Sequence, residues 1–314
     1  MAQPNNSSKD LRPIFVFDTM RARSHLFFRY LSTSPELKAV YHPILMAAFL
    51  GPERWAQHSR NSSARTKELM EDMLPFIGEE TYESEQKRFL ADVEGARKEG
   101  KIAFANEHIF NVLKQPIVHG MNRDPTYSLT ALGPNPTYIP DPIFAALRPM
   151  ILIRHPVPHI NSTYRSVIDI GMQIRTGDED LDILVSHRYF RYLFDMFRAQ
   201  GRQPVVVDSE DLLWRTGEVT ERICEELGVD REGLRETWTP TPEEERPTHP
   251  ILAPFTITIH ASKGIERPEK PDDKDLGRAY EKWVERYGKE SADHLKHLVE
   301  ENMPHYEYLS QFKV

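Results

Sequence analysis

Short, wholly apolar runs alternate along this chain with longer stretches of helical spacing. Ile14-Phe-Val-Phe17, behind Pro13, is uninterrupted by any polar position, which predicts a strand buried on both faces. After the loop 18–23, Leu26, Phe27, Tyr30 and Leu31 recur at helical spacing, so a helix is expected from about Ser24. Residues 37–41 are a weaker strand candidate, stopped by His42-Pro43. Lys101 to Ala105 predicts a second buried strand ending in Asn106, Glu107 and His108. Pro149 to Ile153 predicts a third, ending at Arg154, and Pro204 to Val207 a fourth, entering Asp208-Ser-Glu-Asp211.

The intervening stretches read mostly as helices. Residues 64–99 predict two of them, divided at Pro75 and Gly78. Further helices are expected over 157–171, 178–199 and 273–302, and another running to Leu227 after Asp208-Ser-Glu-Asp211. Thr256 to His260 alternates like a short edge strand, and residues 304–314 read as a tail with Tyr306, Tyr308 and Phe312 as docking anchors. The proline-rich stretches 115–144 and 239–254 lack a period and are expected as lids or substrate-binding loops. No low-complexity linker or internal repeat divides the 314 residues, so a disordered tail over 1–12 and a single domain over 13–314 are expected. Strands alternating with helices predict an α/β fold, a parallel sheet flanked by helices with right-handed crossovers. Ligands in such sheets sit outside the strands' carboxyl ends. Here three of those ends carry Arg21 and Arg23, His108, and Arg154.

Composition narrows the partners. A net charge of -8 argues against a general nucleic-acid or anionic-membrane surface but leaves room for a local basic cluster. Cys224 is the only cysteine, which excludes an intramolecular disulfide and C-x-x-C metal chemistry. The first ten residues have no apolar signal core, and no run approaches the roughly 18 apolar residues of a membrane span. A soluble, cytoplasmic protein with no membrane or nucleic-acid partner is expected.

Four places carry candidate chemistry. In Thr19-Met-Arg-Ala-Arg-Ser-His25, a strand, a turn and a helix start would aim backbone N–H groups at an anion, with Arg21 and Arg23 adding charge and Ser24 and His25 adding donors. The same turn also reads as a helix N-cap with exposed arginines. It is not a Walker A loop, since G-x-x-x-x-G-K-S/T is absent. Arg154, at a strand end, and Ser162, eight residues on in the next helix, can converge on one phosphate, or can be an ordinary surface pair. His108 stands where a general base toward a hydroxyl would, or is one structural histidine among 13, with His25, His42, His119 and His155 as rivals. Glu107, its neighbour on an extended chain, points to the opposite face and need not orient it. Lys263-Gly264 can approach a phosphate or be a solvated turn. No spacing supports a metal.

Together these residues resemble the sulfotransferase family, P-loop-like enzymes that use 3′-phosphoadenosine 5′-phosphosulfate. Thr19 to His25 is similar to the family's P-R-S-G-S-T turn for the 5′-phosphosulfate. Arg154-His-Pro156 with Ser162 matches its Arg-Asn/Asp-Pro motif and downstream serine for the 3′-phosphate. Asn106-Glu-His108 resembles the K-T-H-like triplet that carries the catalytic histidine, and Lys263-Gly264 weakly resembles the C-terminal R-K-G element. The likeness spans most of the chain from about Pro13. It implies sulfuryl transfer to a hydroxyl of a small molecule, with adenosine 3′,5′-bisphosphate leaving. His108 would be the base and Asn106 would stand beside the transferring group. Arg21, Ala22, Arg23, Ser24 and His25 would hold the 5′-phosphosulfate, and Arg154, Ser162, Lys263 and Gly264 the 3′-phosphate. Arg23 replaces a glycine, and arginine is disfavoured if that position needs positive φ. His25 replaces a threonine and Asn106 a lysine. Those departures leave two alternatives open: other acid–base chemistry on the same fold, or nucleotide binding without catalysis.

Overall fold

A computed structural model describes residues 10–59, 79–124, 133–169, 178–246 and 253–314, with the single positions 68, 71, 127 and 248. Within them, five parallel strands form one sheet in the order β2-β3-β1-β4-β5: β1 Ile14–Asp18, β2 Leu37–Tyr41, β3 Ile102–His108, β4 Arg148–Ile153 and β5 Val205–Asp208. The apolar runs are buried because alternate side chains feed cores on opposite faces. Phe15, Phe17, Ala105, Ile151 and Ile153 pack into one core. Ile14, Val16, Phe104, Met150 and Leu152 pack into the other.

The helix after β1 is α1, Ser24–Leu31. Tyr82–Lys98 (α2) covers the β2–β3 side and starts in a capping box between Thr81 and Ser84. Ile109–Val112 (α3) follows β3 directly. The chain leaves β1 toward the β2 edge and leaves β4 toward β5, so the two connections diverge and open a crevice between β1 and β4. This is where an open parallel sheet takes its ligand.

Several expectations change. The stretch 115–144 is not wholly loop: it contains α4, Gln115–Arg123, and the start of α5, Asp141–Ala146, each with proline in its first turn, where the missing N–H costs nothing. The expected helix at 157–171 is α6, Pro156–Asp169. The helix expected over 178–199 breaks into α7, Glu179–Val185, and α8, Arg188–Ala199. Buried His187 sits at the break, its N–H bonded to Asn302 and its ring bonded to the carbonyls of Val185 and Arg154. The helix after β5 likewise divides into α9, Ser209–Trp214, and α10, Thr216–Leu227.

Thr256 to His260 is not a strand but part of α11, Ala253–Ala261, which packs against α1. Its alternating threonines and isoleucines favour a strand locally, and tertiary packing overrides them. The helix expected at 273–302 is α12, Leu276–Tyr287, and α13, Lys289–Ser310. Residues 304–310 are therefore not a tail. Pro304 inside α13 removes one helical hydrogen bond, offset by burying Tyr306 and Leu309 and by the Tyr306 hydroxyl bonding Asp208 at 2.6 Å. Asp10 to Arg12 are tied down, since Arg12 pairs with Asp10 and Arg148 donates to the Arg12 carbonyl. The rest of the expected tail, the helix before Pro75 and parts of both proline-rich stretches lie outside the described residues.

Candidate active site

β1 delivers the first part of the site. Its last residue, Asp18, is fully buried, and the turn behind it is held by hydrogen bonds to other parts of the chain. Thr19 Oγ1 donates to the Leu184 carbonyl at 2.8 Å, His159 donates to the Met20 carbonyl at 3.0 Å, and Arg154 Nη1 donates to the Arg21 carbonyl at 2.7 Å. So braced, the turn places two non-glycine residues in the left-handed region, Arg21 at φ 61 and Arg23 at φ 60. His42, at φ 44, is the third such residue among those described. All three line one cleft of about 1120 Å³. Such strain costs roughly 1–3 kcal/mol per residue and collects at functional sites. Position 23, where the resembled turn has glycine, thus holds an arginine at positive φ. Ala22 is buried and donates its N–H to Thr19. Ser24 opens α1, which has no side-chain cap, so its first N–H groups have no helical acceptor.

The arginine motif converges on this turn. Arg21 Nε donates to Ser162 Oγ at 3.3 Å. Arg154 and Arg23 meet at a residue the sequence did not flag. Asp272 Oδ2 accepts from Arg154 Nη2 at 2.7 Å and Nε at 3.2 Å, and from Arg23 Nη2 at 2.9 Å. Arg23 Nη1 is buried without a hydrogen-bond partner. Burial, then the charge of Arg165, lowers the pKa of Arg21, and burial, then the charge of Arg23, lowers that of Arg154. Crowded cations with a donor to spare suit an anion with more acceptor positions than one carboxylate oxygen. Arg165, exposed on α6, lines the same cleft. Lys263 is exposed and is not among the lining residues, so the structure does not bring it to the arginines. Gly264 does line the cleft, and a Cβ there would meet the Glu236 carbonyl oxygen at 2.6 Å.

The proton-handling part comes from register. β1 and β3 pair with Asp18 opposite His108, and His108 Nδ1 lies 2.5 Å from Asp18 Oδ1. That contact sets the tautomer: Nδ1–H donates to the carboxylate and Nε2 keeps a free lone pair. His108 lines the cleft, so the orienting carboxylate is Asp18 and not the sequence neighbour Glu107. Glu107 Oε1 instead takes His42 Nδ1 at 2.8 Å, with the His108 N–H at 2.9 Å and Asn111 Nδ2 at 3.0 Å. Burial lowers the His42 pKa, but the Glu107 carboxylate outweighs it and the net direction is upward. Asn106 is buried, and its Nδ2 donates to Asp18 Oδ2 at 2.8 Å and lies 3.5 Å from His42 Nε2. Its amide thus ties two histidine–carboxylate pairs together, and Asn106 is not among the residues lining the cleft. The His42 and His108 rings are 4.7 Å apart. His25 sits 6.2 Å from His42, and burial followed by the charges of these histidines holds its pKa well below the usual value, so it is neutral near pH 7.

Asp18 and the His42–Glu107 pair could have been read only with the strand register in hand. Asp272, in the polar stretch before α12, carries no signal at all. Among the described residues no cluster of three metal-ligating side chains occurs, and no helix is long and apolar enough to cross a membrane.

One cleft is thus lined by an arginine cluster and by a histidine paired with a carboxylate, groups able to hold an anion and to take up a proton. Comparison with known proteins narrows this. No family model matches the chain. It is 29% identical over 189 residues to the sulfotransferase ppzF of Metarhizium majus (strain ARSEF 297), covering 56% of this chain and 55% of that protein. It is 25% identical over 243 residues to the sulfotransferase ppzF of Metarhizium rileyi (strain RCEF 4871), covering 69% of this chain and 71% of that one. The match thus spans about half the length of the first relative. Among solved structures, the chain aligns with a sulfotransferase from Alicyclobacillus acidocaldarius at TM-score 0.42 and 16% identity, over 80% of this chain and 97% of that one. It also aligns with the sulfotransferase domain of the Synechococcus PCC 7002 olefin synthase at TM-score 0.37 and 15% identity, over 90% and 98%. Both sequence relatives carry the name sulfotransferase, and the chain is similar to them over 56% and 69% of its length.

Proposed function

We propose that the chain transfers a sulfuryl group from 3′-phosphoadenosine 5′-phosphosulfate to a hydroxyl of a small molecule. The observation that carries this reading is the shared cleft: His108, oriented by Asp18, opens onto the same cavity as Arg21, Arg23, Arg154 and Ser162. The residues fit a phosphorylated donor, since Arg23 and Arg154 already hold a carboxylate and Arg23 keeps an unpartnered buried N–H.

When bound, the donor supplies an activated sulfuryl group with a phosphate leaving group. Arg21, Arg23 and the open N-terminus of α1 hold the 5′ side of such a molecule, and Arg154 and Ser162 the 3′ side. His108 Nε2 accepts the proton of the acceptor hydroxyl, and Asp18 stabilises the imidazolium that results. The guanidinium groups face the charge that develops on the leaving side, in a cleft whose walls at Leu45, Met46, Phe49 and Phe255 are apolar. Positioning and charge stabilisation of this kind require no metal.

Calorimetric titration with adenosine 3′,5′-bisphosphate, on wild type and Arg154→Ala, tests the donor site. Binding by the wild type that weakens at least tenfold in the variant supports it. Transfer of label from sulfur-labelled donor to an acceptor panel then tests the reaction. The Asp272 contact favours one second reading, in which the carboxylate has replaced the phosphate and donor use is lost. Absence of binding to both the wild type and Asp272→Asn would support that alternative.

A further inference from the structure

Asp272 lies between two anchors that do not depend on it. On one side, Arg267 Nε donates to the Leu213 carbonyl at 2.7 Å and its Nη2 to Thr216 Oγ1 at 2.8 Å. On the other, Lys274 pairs with Glu210, and Asp275 caps α12 by accepting from the Arg278 N–H at 2.8 Å. The Asp272 N–H is itself held by Glu210 Oε1 at 3.0 Å. The backbone of this strap is therefore fixed, and the Asp272 side chain alone makes the link to the arginines.

That link is well shielded, with side-chain exposures of 17% for Arg23, 11% for Arg154 and 19% for Asp272. One oxygen, Oδ2, serves both guanidinium groups, while Arg23 Nη1 remains unpartnered. A carboxylate reaching in from the strap satisfies this clamp only in part. A bisphosphate, with more oxygens and more charge, satisfies the two arginines better, but it and the carboxylate cannot hold the same N–H groups at once.

We propose that Asp272 is an internal anion that competes with the donor's phosphates, with the 5′ side at Arg23 and with the 3′ side at Arg154, and so determines the affinity and charge selectivity of the nucleotide site. The proposal rests on the donor reading given above. With Asp272 seated, two guanidinium charges face one carboxylate, so a phosphate meets a half-neutralised site. Binding requires the Asp272 side chain to leave, and the apparent affinity is reduced by the fraction of molecules in which it is seated. A ligand without enough charge to displace it is excluded.

The test is calorimetric titration of the full chain and of Asp272→Asn with adenosine 3′,5′-bisphosphate, and with adenosine 5′-monophosphate as the less charged probe. Asparagine keeps the shape and can still accept from arginine, and Asp272→Ser is the second variant if asparagine disturbs the fold. The expected result is bisphosphate binding on the order of ten- to a hundredfold tighter in Asp272→Asn, the span of one charge-assisted hydrogen bond. At least as large a gain is expected for the monophosphate, which seated Asp272 excludes. If the wild type binds the bisphosphate and the variants bind it equally or more weakly, Asp272 is a strut for the arginines and the proposal is overturned while the donor reading stands. If neither the wild type nor any variant binds it, the donor reading fails and takes the proposal with it.

Discussion

Replacing Asp18 by asparagine changes one proton acceptor into a donor at the base of the site. Asp18 is fully buried and accepts twice, from His108 Nδ1 at 2.5 Å and from Asn106 Nδ2 at 2.8 Å. Asparagine has one oxygen. If that oxygen stays with the Asn106 amide, its NH₂ faces His108 Nδ1, which must then accept. The imidazole proton moves to Nε2, and the atom that would abstract the acceptor proton loses its lone pair. General-base catalysis contributes about 10²–10⁴ in rate, so turnover should fall by that factor. The variant keeps both hydrogen bonds in neutral form, and stability should fall by only about 1 kcal/mol. Labelled sulfuryl transfer measures the first effect and urea unfolding the second. Nitrogen-labelled imidazole NMR reads the tautomer without any acceptor: Nδ1–H in wild type, Nε2–H in Asp18→Asn. A flip of the Asn106 amide would preserve the Nδ1–H form. Wild-type turnover with the imidazole proton moved to Nε2 would refute the assignment of His108 Nε2 as a base that Asp18 orients.

Arg23→Gly should remove left-handed strain of about 1 kcal/mol, so thermal stability should hold or rise slightly, while adenosine 3′,5′-bisphosphate affinity should fall at least tenfold. A fall in melting temperature with unchanged affinity would place Arg23 outside the site. Acid sensitivity follows from the buried histidines. Burial is the main cause holding His25, His159 and His187 below the usual value and bringing His155 and His305 to about 4. Below pH 6.5 the unfolded chain takes up protons that the folded chain refuses, so unfolding free energy should drop as pH falls from about 6.5 toward 4. His42 works in the other direction. Its raised pKa gives stability that is full below 6.5 and is lost as pH rises through the folded value. A urea midpoint that stays flat from pH 7 to 5 would contradict the neutral, buried state of these rings.

The buried strands were legible because a strand covered on both faces is apolar at every position, a purely local pattern. The turn at 19–25 and the Arg154–Ser162 spacing stood out for a related reason: each is a short stretch whose residue types and intervals mark it as a candidate. α11 was misread because four alternating β-branched and polar positions do not reveal what packs on them. The end of α13 was misread because the hydrogen bond that Pro304 removes is offset by the burial of Tyr306 and Leu309, which the chain around the proline does not reveal.

Sequence alone therefore determined the class of fold, the basic turn, the arginine motif and a histidine at a strand's end. Tertiary structure decided how these work together. It chose Asp18 over Glu107 as the partner of His108, because parallel register places residues 90 apart opposite each other while chain neighbours face away. It also brought Asp272 onto Arg154 across 118 residues and closed the arginine clamp. A charge–charge contact at that separation leaves no periodic trace in the chain, because its energy depends on where the fold carries each group and not on the residues beside it.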